Sequence, residues 1–131
     1  MQSSKDLLSD FYLKIKDKDL EEKVLIKKLE QIYPDKSTDV LQVIQRGITK
    51  YTFKPSNRII WTAIGENNEY LIYPKIYCSC IDFYNRVVLK RKKLVCKHLI
   101  AQTVCEALNS FENIIVEDKD FNEFMSQLKL E

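Results

Sequence analysis

Apolar side chains recur in the first third of the chain at the spacing of an α-helix. Leu7, Leu8, Phe11, Tyr12 and Ile15 mark one face. A second stripe, Leu20, Val24, Ile26, Leu29 and Ile32, predicts a helix that stops at the residue before Pro34, where helical backbone is disfavoured. Ser37 or Thr38 is placed to cap a third, short helix carrying Val40, Leu41, Val43 and Ile44, with Gly47 as its stop. Beyond Gly47 the period changes to two. Residues 48–53 alternate, residues 58–64 are β-branched and aromatic, and Lys54-Pro55-Ser56-Asn57 between them reads as a turn. A second turn at Gly65-Glu66-Asn67-Asn68 leads into Glu69–Tyr73, which predicts a three-stranded antiparallel meander, and residues 76–80 extend into Cys78-Ser79-Cys80. Helical spacing returns at 97–108 through Leu99, Ile100, Val104, Ala107 and Leu108. A final helix is expected at 119–129, capped by Asp118 and burying Phe121, Phe124, Met125 and Leu128. Helices, then strands, then helices is an α+β order.

Composition narrows the class. The chain has 131 residues, 45% hydrophobic and 11% aromatic, so it can build a core and is not disordered throughout. Two Gly and three Pro exclude collagenous and low-complexity sequences. The longest stretch free of Asp, Glu, Lys and Arg, His98–Cys105, is far short of the ~20 residues a membrane helix needs. The first 22 residues carry acids throughout and no apolar block of the kind a signal peptide requires. A soluble intracellular protein is expected, cytoplasmic in an archaeal or bacterial cell and nuclear in a eukaryotic one.

Chemistry concentrates in one segment. The four cysteines stand at 78, 80, 96 and 105, and the single histidine at 98. Cys78-Ser-Cys80 and Cys96-Lys-His98 are two close pairs of soft or borderline ligands separated by fifteen residues, the donor set of a closed tetrahedral Zn2+ site. On an extended strand Cys78 and Cys80 share a face. On a helix, Cys96 and His98 would point roughly 200° apart. Cys96 is therefore expected just before the helix, with His98 in its first turn. Any one of these cysteines alone would read as a buried hydrophobe, and Cys105, seven residues past His98, does read so.

The pattern C-x-C, a variable loop, then C-x-H with Ala101 three residues on resembles the SWIM zinc finger. Over roughly residues 29–130 the chain further resembles the SWIM-domain subunit of Shu-type homologous-recombination complexes. The resemblance rests on Leu41-Gln-Val-Ile-Gln-Arg46 before a strand starting Ile48-Thr49, Tyr77-Cys78-Ser79-Cys80, Cys96-Lys97-His98-Leu99 and an acidic final helix. It implies a non-catalytic partner of RecA-family recombinase paralogues. Three parts of one compact domain are expected: an N-terminal helical region (1–46), the meander with its zinc finger (47–110), and a C-terminal helix (111–131).

Arg86, Lys90, Arg91, Lys92, Lys93 and Lys97 lie in a stretch with no acid, whereas the whole chain carries only +2. These six are the candidate nucleic-acid contacts, against the plainer reading of a solvated loop. Phe83 and Tyr84 nearby have the ring chemistry for base stacking, but their helical spacing with Val87 and Val88 reads as core. No Gly-rich phosphate loop is present, and a ligated His98 is not free for general-base work. The chain is therefore expected not to be an enzyme. The alternatives are a free-standing DNA-binding SWIM regulator and, more remotely, a thiol redox protein using Cys78-Ser-Cys80. Tyr51, Phe53, Ile60, Trp61 and Tyr73, with Leu7, Leu8, Phe11 and Tyr12, exceed what one small core needs. They are expected to leave an apolar patch for a partner, the N-terminal helix either forming half of it or covering the sheet in its own chain.

Overall fold

The computed structural model describes residues 4–16, 21–34, 37–66, 68–80, 83–89 and 95–128. Three helices come first: α1 (Ser4–Ile15), α2 (Glu22–Ile32) and α3 (Ser37–Arg46). In α2 the buried positions are Leu25 and Leu29, joined at the next turn by Tyr33, while Val24 is 40% exposed. Leu29 and Ile32 of the expected stripe do face the core, but Leu25 takes the place expected of Val24, and Leu20 lies outside the described residues. Ser37 opens α3, its hydroxyl donating to the Glu30 carboxylate of α2. Gly47 stops α3 as anticipated: its φ of +122° is open only to glycine, and its N–H closes the last turn onto Val43 O at 3.1 Å.

The strands β1 (Ile48–Lys54), β2 (Arg58–Ile64), β3 (Glu69–Tyr73) and β4 (Tyr77–Cys78) form the antiparallel run. A further strand, β5 (Glu112–Glu117), goes beyond the expected meander. It pairs parallel to β1, Thr49 opposite Glu112 and Phe53 opposite Val116, so the sheet is mixed and five-stranded in the order β4-β3-β2-β1-β5. Its pattern is hard to read in sequence because only alternate residues are even half-buried, and Ile115 is 60% exposed.

Alternation divides the sheet into two apolar faces. Ile48, Trp61, Ala63, Ile72 and Cys78 face the main core, shared with Leu8, Phe11 and Ile15 of α1, Val40 and Val43 of α3, and α4 (Lys97–Ala107). Helix α4 is the hub: residues 98–105 and Ala107 are all buried. The N-terminal helix therefore packs in its own chain, and the alternative in which it supplies half of a partner surface is set aside. The opposite face carries Phe53, Ile60 and Leu71 under Phe121, Phe124, Met125 and Leu128. Phe53 stacks edge-on to Phe121 and Phe124 at 5.0 and 5.3 Å. Much of the apparent apolar surplus is consumed here.

That last helix is shorter than expected: a 3-10 turn (Asp118–Asp120) precedes α5 (Phe121–Gln127). Asp118 does not cap it. Its carboxylate accepts from the Ser56 N–H at 2.9 Å and the Ser56 hydroxyl at 2.7 Å, tying the β1–β2 turn to the end of β5. The segment Phe83–Leu89 is π-helical, and its faces also differ from the expectation. Phe83 is buried and Val87 half-buried, but Tyr84 (56%) and Val88 (46%) are exposed rather than core.

Because Phe53 is the fully buried centre of the second face, Phe53→Ala should cost about 3–5 kcal/mol of stability, whereas Ile115→Ala on exposed β5 should stay within about 0.5 kcal/mol. Denaturant melts of the two variants check this, and comparable destabilisation would mean that Ile115 is packed more tightly than its exposure indicates.

Candidate metal centre

Cys78 ends the edge strand β4, paired with Ile72 of β3. The next residue continues the pairing by a different means. The Ser79 N–H donates to Leu71 O at 3.0 Å, and the Ser79 hydroxyl accepts from the Leu71 N–H at the same distance. The middle residue of C-x-C is therefore locked to β3 from both its backbone and its side chain, which keeps the chain extended. Cys80 then bonds to the start of the π-helical segment: its carbonyl accepts from the Tyr84 N–H at 3.3 Å and its sulfur from the Phe83 N–H at 3.3 Å.

The second pair sits where α4 begins. Cys96 is its extended N-cap residue (φ −99°, ψ 167°), and its carbonyl takes the Ile100 N–H at 3.3 Å. His98 follows in the first turn, its Nδ1 4.0 Å from Cys96 Sγ and its ring 4.8 Å from the Tyr70 ring, centroid to centroid. Cys78, Cys80, Cys96 and His98 are all buried, and one ligand atom from each lies within 4.8 Å of the others. A tetrahedron with metal–sulfur bonds of ~2.3 Å has sulfurs ~3.8 Å apart, so this cluster needs only slight contraction around an ion.

The electrostatics fit a cation as well. Burial pushes the Cys96 thiol up to about 12. Cys78 is driven up far more, first by its hydrogen bonds to Cys80 and Cys96 and then by burial. Cys80 moves down because the Cys78 and Cys96 thiols both stabilise its charge. Three buried sulfurs so close do not ionise together unaided, and an ion that replaces their protons relieves that constraint. Cys105, two turns along α4, is buried and raised to about 12 by burial, and it takes no part in the cluster.

Of the six candidate nucleic-acid residues, only two lie among the described residues. Lys97 is half-buried at the start of α4 and Arg86 lies in the π-helical segment, while Lys90, Arg91, Lys92 and Lys93 fall outside the described residues. Two further contributors leave little or no mark on the sequence. The clue to Ser79 is a hydroxyl residue between two ligands. Tyr70 has no local signal, since its contact with His98 runs from the sheet to the helix.

The chain is similar to known proteins named for a zinc finger. The chain is 36% identical over 83 residues to the zinc finger SWIM domain-containing protein 7 homologue of Dictyostelium discoideum, which takes in 62% of this chain. The chain is a homologue of these SWIM zinc-finger proteins. The match spans about half (51%) of the Dictyostelium protein. It is 25% identical over 124 residues to mouse zinc finger SWIM domain-containing protein 7, covering 93% of this chain and 82% of the mouse protein. Against the human protein of that name the figures are 24% over 99 residues, 74% and 71%. No protein-family model matches the chain, and no solved structure matches it significantly. Among the described residues, no helix is long and apolar enough to cross a membrane.

The Cys78/Cys80/Cys96/His98 cluster makes a direct prediction about metal content. Protein purified without chelator should carry one zinc per chain by elemental analysis. Cys80→Ser and His98→Ala should lose it and unfold the surroundings of α4, since structural zinc supplies an apparent ~10–16 kcal/mol in small fingers. Cys105→Ala should keep the metal.

Proposed function

We propose that this chain is a non-catalytic adaptor, held together by one structural zinc, that associates with a RecA-family recombinase paralogue in homologous-recombination repair. The observation that carries the reading is the Cys78/Cys80/Cys96/His98 cluster, built into the main core at the head of its central helix. Four protein ligands fill a tetrahedral zinc and leave no position for a substrate, which favours a structural role over a catalytic one. The homologues are named for the same finger, and the sequence resemblance to the Shu-type SWIM subunit supplies the repair context.

An adaptor needs surface, and apolar side chains around the metal provide it. Tyr73, Ile76, Tyr84, Val88 and Leu89 are all exposed and lie on the β3–β4 hairpin and the π-helical segment that flank Cys78 and Cys80. Aromatic and aliphatic anchors of this kind dominate protein interfaces. Of the expected apolar patch, Tyr73 is the strand residue that stays exposed, and in this reading the partner surface lies around the metal and not on the N-terminal helix. A second reading, a free-standing DNA-binding regulator, draws on the acid-free stretch from Arg86 to Lys97.

Co-expression with the recombinase paralogues of the source organism tests the proposal. One paralogue should co-purify with the zinc-loaded chain, and Ile76→Asp combined with Tyr84→Ala should lower its recovery at least tenfold without changing metal content. If no paralogue is retained and the isolated chain instead selects particular duplex sequences, the regulator reading replaces this one.

A further inference from the structure

A polar cleft of about 360 Å³ opens beside the metal centre, between the end of α3, the β2–β3 turn and the start of α4. Gln42 and Arg46 line one side, Asn68 another and Lys97 a third, above the Tyr70–His98 ring pair. Its wall is firmly built. The turn closes with the Gly65 N–H on Asn68 O at 2.7 Å, and Gly65 presses so closely on Tyr70 that a Cβ there would stand 2.6 Å from the ring. Small-ligand sites of this volume are usually mostly apolar. This one is lined chiefly by polar groups, so a ligand suited to it is charged or rich in hydrogen-bonding groups.

The charges decide which sign. Among the described lining residues, Arg46 and Lys97 stand against one carboxylate, that of Glu66, which Arg46 meets at 3.2 Å on the exposed rim. An exposed one-point pair is weak and exchanges readily for a better anion, and the guanidinium fork retains donors for one. We infer that this cleft binds a phosphate group of a nucleotide or a nucleic-acid strand, held between Arg46 and Lys97 with the Gln42 and Asn68 amides as further donors. A phosphate is favoured over the carboxylates of an acidic peptide because Lys97 ends the acid-free basic stretch that begins at Arg86. The inference extends the proposed function by naming a contact site, and it does not depend on the recombinase paralogue.

The test uses the full zinc-loaded chain and a fluorescently labelled oligothymidylate, followed by anisotropy across a salt series. Arg46→Gln combined with Lys97→Gln should weaken binding roughly tenfold or more at low salt and flatten the slope of log affinity against log salt by about 0.7, the share of a single phosphate. Glu66→Gln should do the reverse, tightening binding about two- to fivefold by releasing Arg46. Zinc content at one per chain verifies that each variant is folded. Competition by thymidine monophosphate or inorganic phosphate assigns the cleft to free phosphates, and resistance to both assigns it to the strand. Wild-type affinity and slope in the double variant overturn the inference. So does binding of polyglutamate in place of the oligonucleotide, or a loss confined to Lys90–Lys93 variants. None of these outcomes bears on paralogue co-purification, which tests the adaptor reading separately.

Discussion

Cys96 is the point on which the rest of the molecule turns. Its carbonyl begins α4 by accepting the Ile100 N–H, while its thiol faces Cys78 and Cys80 at the edge of the sheet. Helix α4 in turn buries almost its whole length against α1, α3 and the strands. A helix buried on every side has no solvent face to set its rotation, and its own amphipathicity orients it poorly. The two ligands in its first turn supply that orientation, because Cys96 and His98 meet the C-x-C pair in only one arrangement. Ser79 plays the matching part on the strand side by anchoring the C-x-C segment to Leu71.

The parts legible in sequence are those governed by local chemistry. Gly47 predicts a helix stop because the required backbone conformation belongs to glycine, and the β1–β2 turn follows from Pro55 and Asn57, whose φ of +64° suits asparagine. The ligand spacing anticipates Cys96 at the N-cap and His98 in the first turn, because no other arrangement of C-x-H on a helix lets both side chains converge. What stays hidden depends on distant partners. β5 becomes a strand only beside β1, some sixty residues earlier, and Asp118 looks like a helix cap until Ser56 claims both its oxygens. Tyr84 and Val88 mislead for a geometric reason: the segment has i→i+5 bonding, so a 3.6-residue period places them on the wrong face. The stripe of α2 is ambiguous by one residue because Val24 and Leu25 are both apolar, and only packing tells them apart.

The two faces of the sheet divide the labour. The metal side holds the helices that surround α4. The far side, where Phe53, Ile60 and Leu71 lie under α5, closes the surface that a five-stranded sheet would otherwise expose. Arg58 lies over the Phe121 ring at 4.2 Å and adds a polar edge to that lid. The strands between these faces belong to both cores, since Trp61 and Ile60 are neighbours in sequence and point to opposite layers.

Charge balance follows from the same arrangement. Three thiolates, a neutral imidazole and a divalent ion sum to −1, and that charge would sit buried at the head of α4. The N-terminal end of an eleven-residue helix carries a partial positive charge and offers some compensation without any side chain. Lys97, half-buried between the two ligands, adds more. The same residue lines the polar cleft, so it stands in sequence between the two ligands and in space beside Arg46, which comes from α3 and pairs with the Glu66 carboxylate at the rim. The two cations thus reach the cleft from different elements: Lys97 is placed by the first turn of α4, which the ligands orient, and Arg46 by the last turn of α3.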